Sequence, residues 1–312
     1  MSSLNEARAA GRAGSPAQQG RHWLDLSEGT LAVLLLAPTF LLLGLIVLYP
    51  VGRLIATSFY SLSLSSGTPA EFVGLENYLL VLEDPVFWSS LWNTVLLTLI
   101  TVPGALVVGL GLALLANLPF RIKWPIRLAL LVPWALPLAF VGLIFAWFFH
   151  SEYGVVNDVL ARLGFERIIW FNSENLAFFA VCLTVVWKTS SFMALILLAG
   201  LQTIPSSLYE AAEVDGASKV RQFVEITLPL LKPAIVVALI FRTITALQTF
   251  DIPYTMTRGG PGTATMTLAM YIHQNTVDFL DLGYGSTLAV IMFLVSMCAT
   301  AVYLRAMRAK EG

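Results

Sequence analysis

Residues 91–118 read LWNTVLLTLITVPGALVVGLGLALLANL and contain no charged side chain. A helix rises 1.5 Å per residue, so roughly 20 apolar residues cross ~30 Å of hydrocarbon. This stretch is long enough to span a bilayer, and it is not isolated. Leu31–Tyr49, Leu128–Phe149 and Thr287–Leu304 are also free of charge. Leu176–Gly200 holds only Lys188, and Ala234–Phe250, extended back to Pro233, holds only Arg242. Composition agrees: of 312 residues, 57% are hydrophobic and 12% charged, about half the ~25% of soluble domains. Mean hydropathy is +0.79 and the net charge is −1. A disordered chain, a basic nucleic-acid binder and an ordinary soluble enzyme are excluded. Hydrocarbon offers no hydrogen bonds to a backbone, so helices are the default spanning form, and the ten-residue alternation of a barrel is absent. The reading is an all-α integral membrane protein with six transmembrane helices over residues 29–306. An Ala-, Gly- and Ser-rich tail over residues 1–28, expected to be disordered, precedes them, and a short tail over 307–312 follows.

Basic residues set the expected orientation. With the N-terminus inside, the inner segments hold Arg8, Arg12, Arg21, Arg121, Lys123, Arg127, Lys219, Arg221, Lys232, Arg305, Arg308 and Lys310; the outer loops hold only Arg162, Arg167 and Arg258. This bias predicts a multi-pass protein of a cytoplasmic membrane with both termini cytoplasmic. The first apolar run starts too late and is too long for a secretory signal. Cys182 and Cys298 fall inside spans and read as small apolar residues. His22, His150 and His273 are scattered without metal-ligand spacing, and no hydrolase, zinc-protease or phosphate-loop motif occurs. The chain is expected to have no catalytic site, metal or cofactor of its own.

The unusual inner segment lies between spans four and five, at about residues 202–232. Ser207 and Glu210 have the spacing of a capping box, which predicts a helix to about Asp215. Gly216 can take the left-handed conformation that ends it, and a second short helix is expected from Ala217 to about Glu225, with Pro229 opening the next span. Ala211, Ala212, Gly216 and Ala217 permit close backbone approach, while Glu210, Glu213 and Asp215 supply charge. The alternatives are an ordinary loop and a protein-docking element, and the combination of cap, elbow and small residues favours docking.

The run Glu210-Ala211-Ala212, Asp215-Gly216-Ala217 and Ile226-Thr227-Leu228-Pro229 resembles the EAA loop of binding-protein-dependent ABC importer permeases. Further patches resemble the sugar branch of that family and fall in its order. They are Phe72-Val73-Gly74-Leu75-Glu76-Asn77-Tyr78, Asn93-Thr94, Pro133 with Pro137, Trp187-Lys188, Gly259-Gly260-Pro261 and Gly283-Tyr284-Gly285. The resemblance covers about residues 30–305 and is to the first permease subunit of maltose/trehalose-type importers. It implies a type I ABC importer permease fold. It implies as partners a homologous second permease, two ATP-binding subunits that hold ATP and Mg, and an extracytoplasmic solute-binding protein or lipoprotein. By resemblance, Glu210, Ala211, Ala212, Asp215, Gly216 and Ala217 form the ATPase-coupling positions, and a sugar such as trehalose or maltose is the cargo.

Lys188 and Arg242 fall near the centres of spans four and five, where a cation costs about 2.5–3.5 kcal/mol on the insertion scale. They either form structural pairs or line a substrate path. On span four Lys188, Thr189 and Phe192 share a face; on span five Arg242, Thr245 and Thr249 do, with Gln248 and Asp251 beside them. Hydroxyls, an amide and an aromatic ring suit a sugar. The cations depart from the maltose-permease pattern, which leaves open an anionic polyol such as a glycerophosphodiester. An ATP-independent secondary transporter is the other competitor, although no internal repeat is apparent.

Overall fold

The computed structural model describes residues 27–67, 69–118 and 124–308. The tail residues 1–26 and 309–312 lie outside them, as do Arg121 and Lys123 in the second inner segment. The chain forms two units, one ending at Arg53 and one beginning at Leu54. In the first, Ser27 caps helix α1 (Glu28–Leu43) by accepting from the Thr30 N–H. A π-helical turn, Gly44–Leu48, follows and leads into α2 (Tyr49–Thr57). Pro38 sits inside α1.

The second unit is built on two long helices. Asp84 caps α4 (Pro85–Asn117), which follows the short α3 (Glu76–Glu83); α8 (Glu174–Leu201) packs along α4. Small residues let the two backbones approach. Ala105, Gly109, Ala113 and Ala116 on α4 are buried, as are Ala177, Ala180, Ser190, Ser191 and Ala194 on α8. A Cβ on Gly109 would stand 2.7 Å from Met193 Cβ and 2.9 Å from Ser190 O. In lipid, such close packing replaces the hydrophobic effect as the source of helix association. α11 (Leu228–Leu247) packs on both helices, and α14 (Leu282–Arg308) packs on α11.

Among the described residues, five helices are long and apolar enough to cross a membrane, or six if one bent pair counts as a single span. That pair is the third expected span. It is not straight: α5 (Trp124–Ala135) and α6 (Leu138–Phe148) meet at 96°. Pro137 caps α6 and cannot donate a backbone N–H to continue α5. Span five also differs from expectation. α11 ends at Leu247, and Asp251 starts a separate short helix, α12 (Asp251–Thr257), which packs on α6. After α6 come α7 (Val155–Arg162) and a single 3₁₀ turn, Trp170–Asn172. A two-stranded antiparallel ribbon, β1 (Tyr60–Ser61) with β2 (Glu71–Phe72), pairs Tyr60 with Phe72.

The segment joining α8 to α11 contains α9 (Ser206–Val214) and α10 (Lys219–Gln222). The Ser207–Glu210 capping box does not form. Pro205 is the cap residue, no side chain caps the helix, and Ser207 already lies inside the first turn. Gly216 takes φ +70°, as the elbow requires. The second helix is shorter than expected and capped by Ser218; it runs through a π-helical turn, Phe223–Thr227, directly into α11. Pro229 lies in the first turn of α11, directly after the π-helical turn.

Candidate functional site

Two regions carry the sequence-predicted residues. The first is a cavity of about 100 Å³ between α8 and α11, closed by α6 and α12 and lined by Thr189, Arg242, Thr245, Gln248, Thr249 and Asp251, with Leu138, Val185, Phe250 and Ile252 as apolar walls. Six of the eight expected path residues therefore meet in one cavity. Lys188 and Phe192 do not line it. Lys188, only 5% exposed, donates from Nζ to Trp134 O at 2.6 Å. That carbonyl belongs to the last turn of α5, where a helix leaves acceptors without intrahelical partners. Phe192 stacks on Trp134, centroids 6.4 Å apart. Ser191, one turn on from Lys188, donates to Leu130 O at 2.6 Å. This face of α8 is thus fastened to α5.

Arg242 is 2% exposed. Its Nη2 donates to Thr101 Oγ1 on α4 at 3.0 Å and its Nη1 reaches Thr245 Oγ1 at 3.5 Å. Its Nε is buried without a partner. Among the described residues, no ion pair involves Lys188, Arg242 or Asp251. The sequence reading missed Thr101. Its signal was present: Thr94, Thr98 and Thr101 place hydroxyls on one face of an apolar helix. Thr94 and Thr98 bond back to carbonyls one turn earlier, a common use for such residues, whereas Thr101 meets the guanidinium.

The second region is the α9–α10 elbow. Glu210, Ala211 and Ala212 lie on α9; Asp215, Gly216 and Ala217 form the turn. Lys219 pairs with Glu213 across the elbow, and the hydrogen bond and charge of Lys219 hold the exposed Glu213 carboxyl below its ordinary value. Tyr209 Oη on α9 is hydrogen-bonded to Thr227 Oγ1 at 2.9 Å, within the π turn that opens α11. That link, also missed in the sequence, ties the elbow to the helix that carries Arg242. Val214 and Val220 flank the turn and are 88% and 74% exposed.

At the opposite end of α4, several of the family-like patches are fastened by hydrogen bonds. Asn77 donates to Ser58 O and Tyr60 O, each at 3.0 Å. Asn93 donates to Thr263 O at 2.7 Å and Met266 O at 3.1 Å, and Thr94 Oγ1 accepts from the Leu268 N–H at 2.8 Å. The loop held this way opens the short helix α13 (Leu268–His273). Tyr271 of α13 and Tyr284 of α14 both donate to Asp84 Oδ2, at 2.5 and 2.6 Å.

Residues 105–309 match the family of binding-protein-dependent transport system inner membrane components. The chain belongs to that family. Among relatives, this permease is 76% identical over 289 residues to the sulfoquinovosyl glycerol transport system permease protein SmoG of Agrobacterium fabrum, covering 93% of this chain and 94% of the relative. It is 43% identical to the trehalose/maltose transport system permease protein MalF of Thermococcus litoralis over 75% of this chain and 79% of the relative. Among solved structures, a bacterial ABC transporter involved in importing the acidic polysaccharide alginate superposes with a TM-score of 0.78 at 20% identity, covering 93% of this chain and 99% of that one. The fold is that of a type I ABC importer permease, a multi-pass inner-membrane protein, and its named relatives are sugar permeases.

Proposed function

We propose that this permease is one of two homologous membrane subunits of an ATP-driven importer that carries an anionic glycoside, of the sulfoquinovosyl glycerol kind, into a bacterial cell. The observation that carries the reading is the 76% identity to SmoG over 93% of the chain. The buried Arg242 on the cavity wall agrees with an anionic group, and the hydroxyl, amide and carboxylate groups around it suit the hydroxyls of a sugar. The more distant trehalose/maltose relative supports a neutral disaccharide as the second reading.

In this mechanism an extracytoplasmic binding protein delivers the sugar to the face that bears α12 and α13. Both termini and the α9–α10 elbow lie in the cytoplasm. The exposed Val214 and Val220 beside the elbow meet an ATP-binding subunit, and ATP and Mg are held by two such subunits. Closure of those subunits on ATP pushes α9. The Tyr209–Thr227 contact passes the displacement to α11 and so to the cavity around Arg242. Nucleotide shifts the equilibrium between inward and outward states only through its differential affinity for them, and this chain supplies the lever rather than the energy.

The test is ATP hydrolysis by the reconstituted complex with binding proteins loaded separately with sulfoquinovosyl glycerol, trehalose and a glycerophosphodiester. Stimulation by the sulfonated glycoside is expected. Stimulation by trehalose alone establishes the second reading, and stimulation by none of them removes the sugar assignment.

A further inference from the structure

The two intramembrane cations are not equivalent. The Lys188 ammonium serves a structural contact: it donates to Trp134 O at the 96° break between α5 and α6, beside the Ser191–Leu130 bond. It does not line the cavity. Arg242 does. A guanidinium has five N–H donors and no acceptor, and the bonds made here run from Nη1 and Nη2 to threonine hydroxyls. Nε, buried, is unmatched. No carboxylate of the described residues pairs with it. A buried guanidinium without a counter-charge leaves the site electrostatically incomplete, and its fork geometry matches an oxyanion. The cavity, about 100 Å³, is well below the ~300–1,000 Å³ of sites that enclose a small ligand. It suits one charged group of a sugar whose remainder extends beyond this subunit. Asp251, the carboxylate on the cavity wall, can accept from sugar hydroxyls but not from an anion.

We propose that Arg242 binds the anionic group of the transported sugar and sets the permease's preference for charged glycosides, while Lys188 is a structural tie. The inference rests on the importer reading above and takes the anion to be a sulfonate. Thr101 and Thr245 orient the guanidinium from α4 and α11.

The experiment uses the full complex in proteoliposomes with its binding protein saturated with sulfoquinovosyl glycerol. Sugar uptake and ATP hydrolysis are measured together for wild type, R242Q, R242K and K188M. The sugar carried per ATP is expected to fall by roughly tenfold in R242Q and to recover in part in R242K, because a charge-assisted contact is lost and then partly restored. In K188M uptake and hydrolysis are expected to fall together at a constant ratio. An unchanged ratio in R242Q, or a collapsed ratio in K188M, overturns the assignment while leaving the importer reading intact. A wild-type complex that carries only neutral disaccharides overturns the substrate reading and the Arg242 assignment with it. If R242Q fails to assemble, electron cryo-microscopy of the wild-type complex trapped with vanadate and the sulfonated glycoside decides the matter. Sulfonate oxygens on the guanidinium uphold the proposal. A carboxylate of the companion permease on Nε overturns it.

Discussion

The Asp84 carboxylate accepts the Val86 N–H at the start of α4 and the hydroxyls of Tyr271 and Tyr284, which lie 187 and 200 residues further along the chain. Burial works to raise its pKa, but the two phenols and the N–H groups of Val86 and Phe87 outweigh burial and hold the carboxyl below its ordinary value. A depressed carboxyl contributes stability above its unfolded pKa of ~3.9, and that stability is lost as pH falls through the folded value. D84N is therefore expected to lower stability by about 1–3 kcal/mol near neutrality, with the gap to wild type closing as the pH falls below ~3.9 and through the folded value. Thermal melts of the solubilised complex at several pH values check this; a gap that stays constant with pH counts against an ionised Asp84. Two glycines on α4 make a second comparison. A Cβ at Gly109 meets Met193 and Ser190 below 3 Å, whereas Gly111 has nothing within 4 Å. Gly109→Ala is expected to destabilise by about 1–3 kcal/mol and Gly111→Ala to be neutral or stabilising by up to about 1 kcal/mol, read as melting temperatures of the same complex.

At the scale of elements, the proposed lever runs along α9, α10 and α11. Its two checkable joints are Gly216, at φ +70° with open space around it, and the Tyr209–Thr227 bond. Gly216→Ala meets no neighbour, so its cost is that of a left-handed backbone alone, about 1 kcal/mol. Tyr209→Phe keeps the packing and removes the bond. Both variants are expected to assemble, and Tyr209→Phe to lower the ATP hydrolysis stimulated by loaded binding protein several-fold; wild-type stimulation in Tyr209→Phe would show that the displacement takes another route. Hydropathy located the helices well, because a span is defined by length and absence of charge. It could not locate their bends. The third span looked continuous from Leu128 to Phe149, yet it breaks where Pro137 withholds an N–H. The Ser207–Glu210 spacing fitted a capping box, yet Pro205 occupies the cap position and shifts Ser207 inside the helix. Span five was expected to reach Phe250, yet α11 ends at Leu247 and Asp251 begins α12. In each case, which residue ends an element depends on neighbours that periodicity does not register.

At the scale of the whole molecule, the family-like patches were individually weak because each is two or three residues long. Their meaning is tertiary: Asn93 and Thr94 clasp the loop between Thr263 and Leu268, and Tyr284 meets Asp84. Of the six expected path residues in the cavity, Arg242 and Thr245 share a face of α11, whereas Gln248, Thr249 and Asp251 reach it because the chain turns after Leu247 into α12; Lys188 bonds instead to a carbonyl at a break the sequence did not reveal. Orientation is the remaining large-scale consequence. The sequence reading assigns most of the basic residues outside the spans to the inner segments, and arginine and lysine bias is the main determinant of membrane topology. With Cys182 and Cys298 replaced by serine, a single cysteine at Ser207 on α9 is expected to resist a membrane-impermeant thiol reagent added outside whole cells and to react after permeabilisation. A single cysteine at Gly262, in the loop before α13, is expected to react from outside at once. The reverse pattern would place the elbow beyond the reach of any cytoplasmic ATP-binding subunit, and the lever from α9 to Arg242 would then have nothing to drive it.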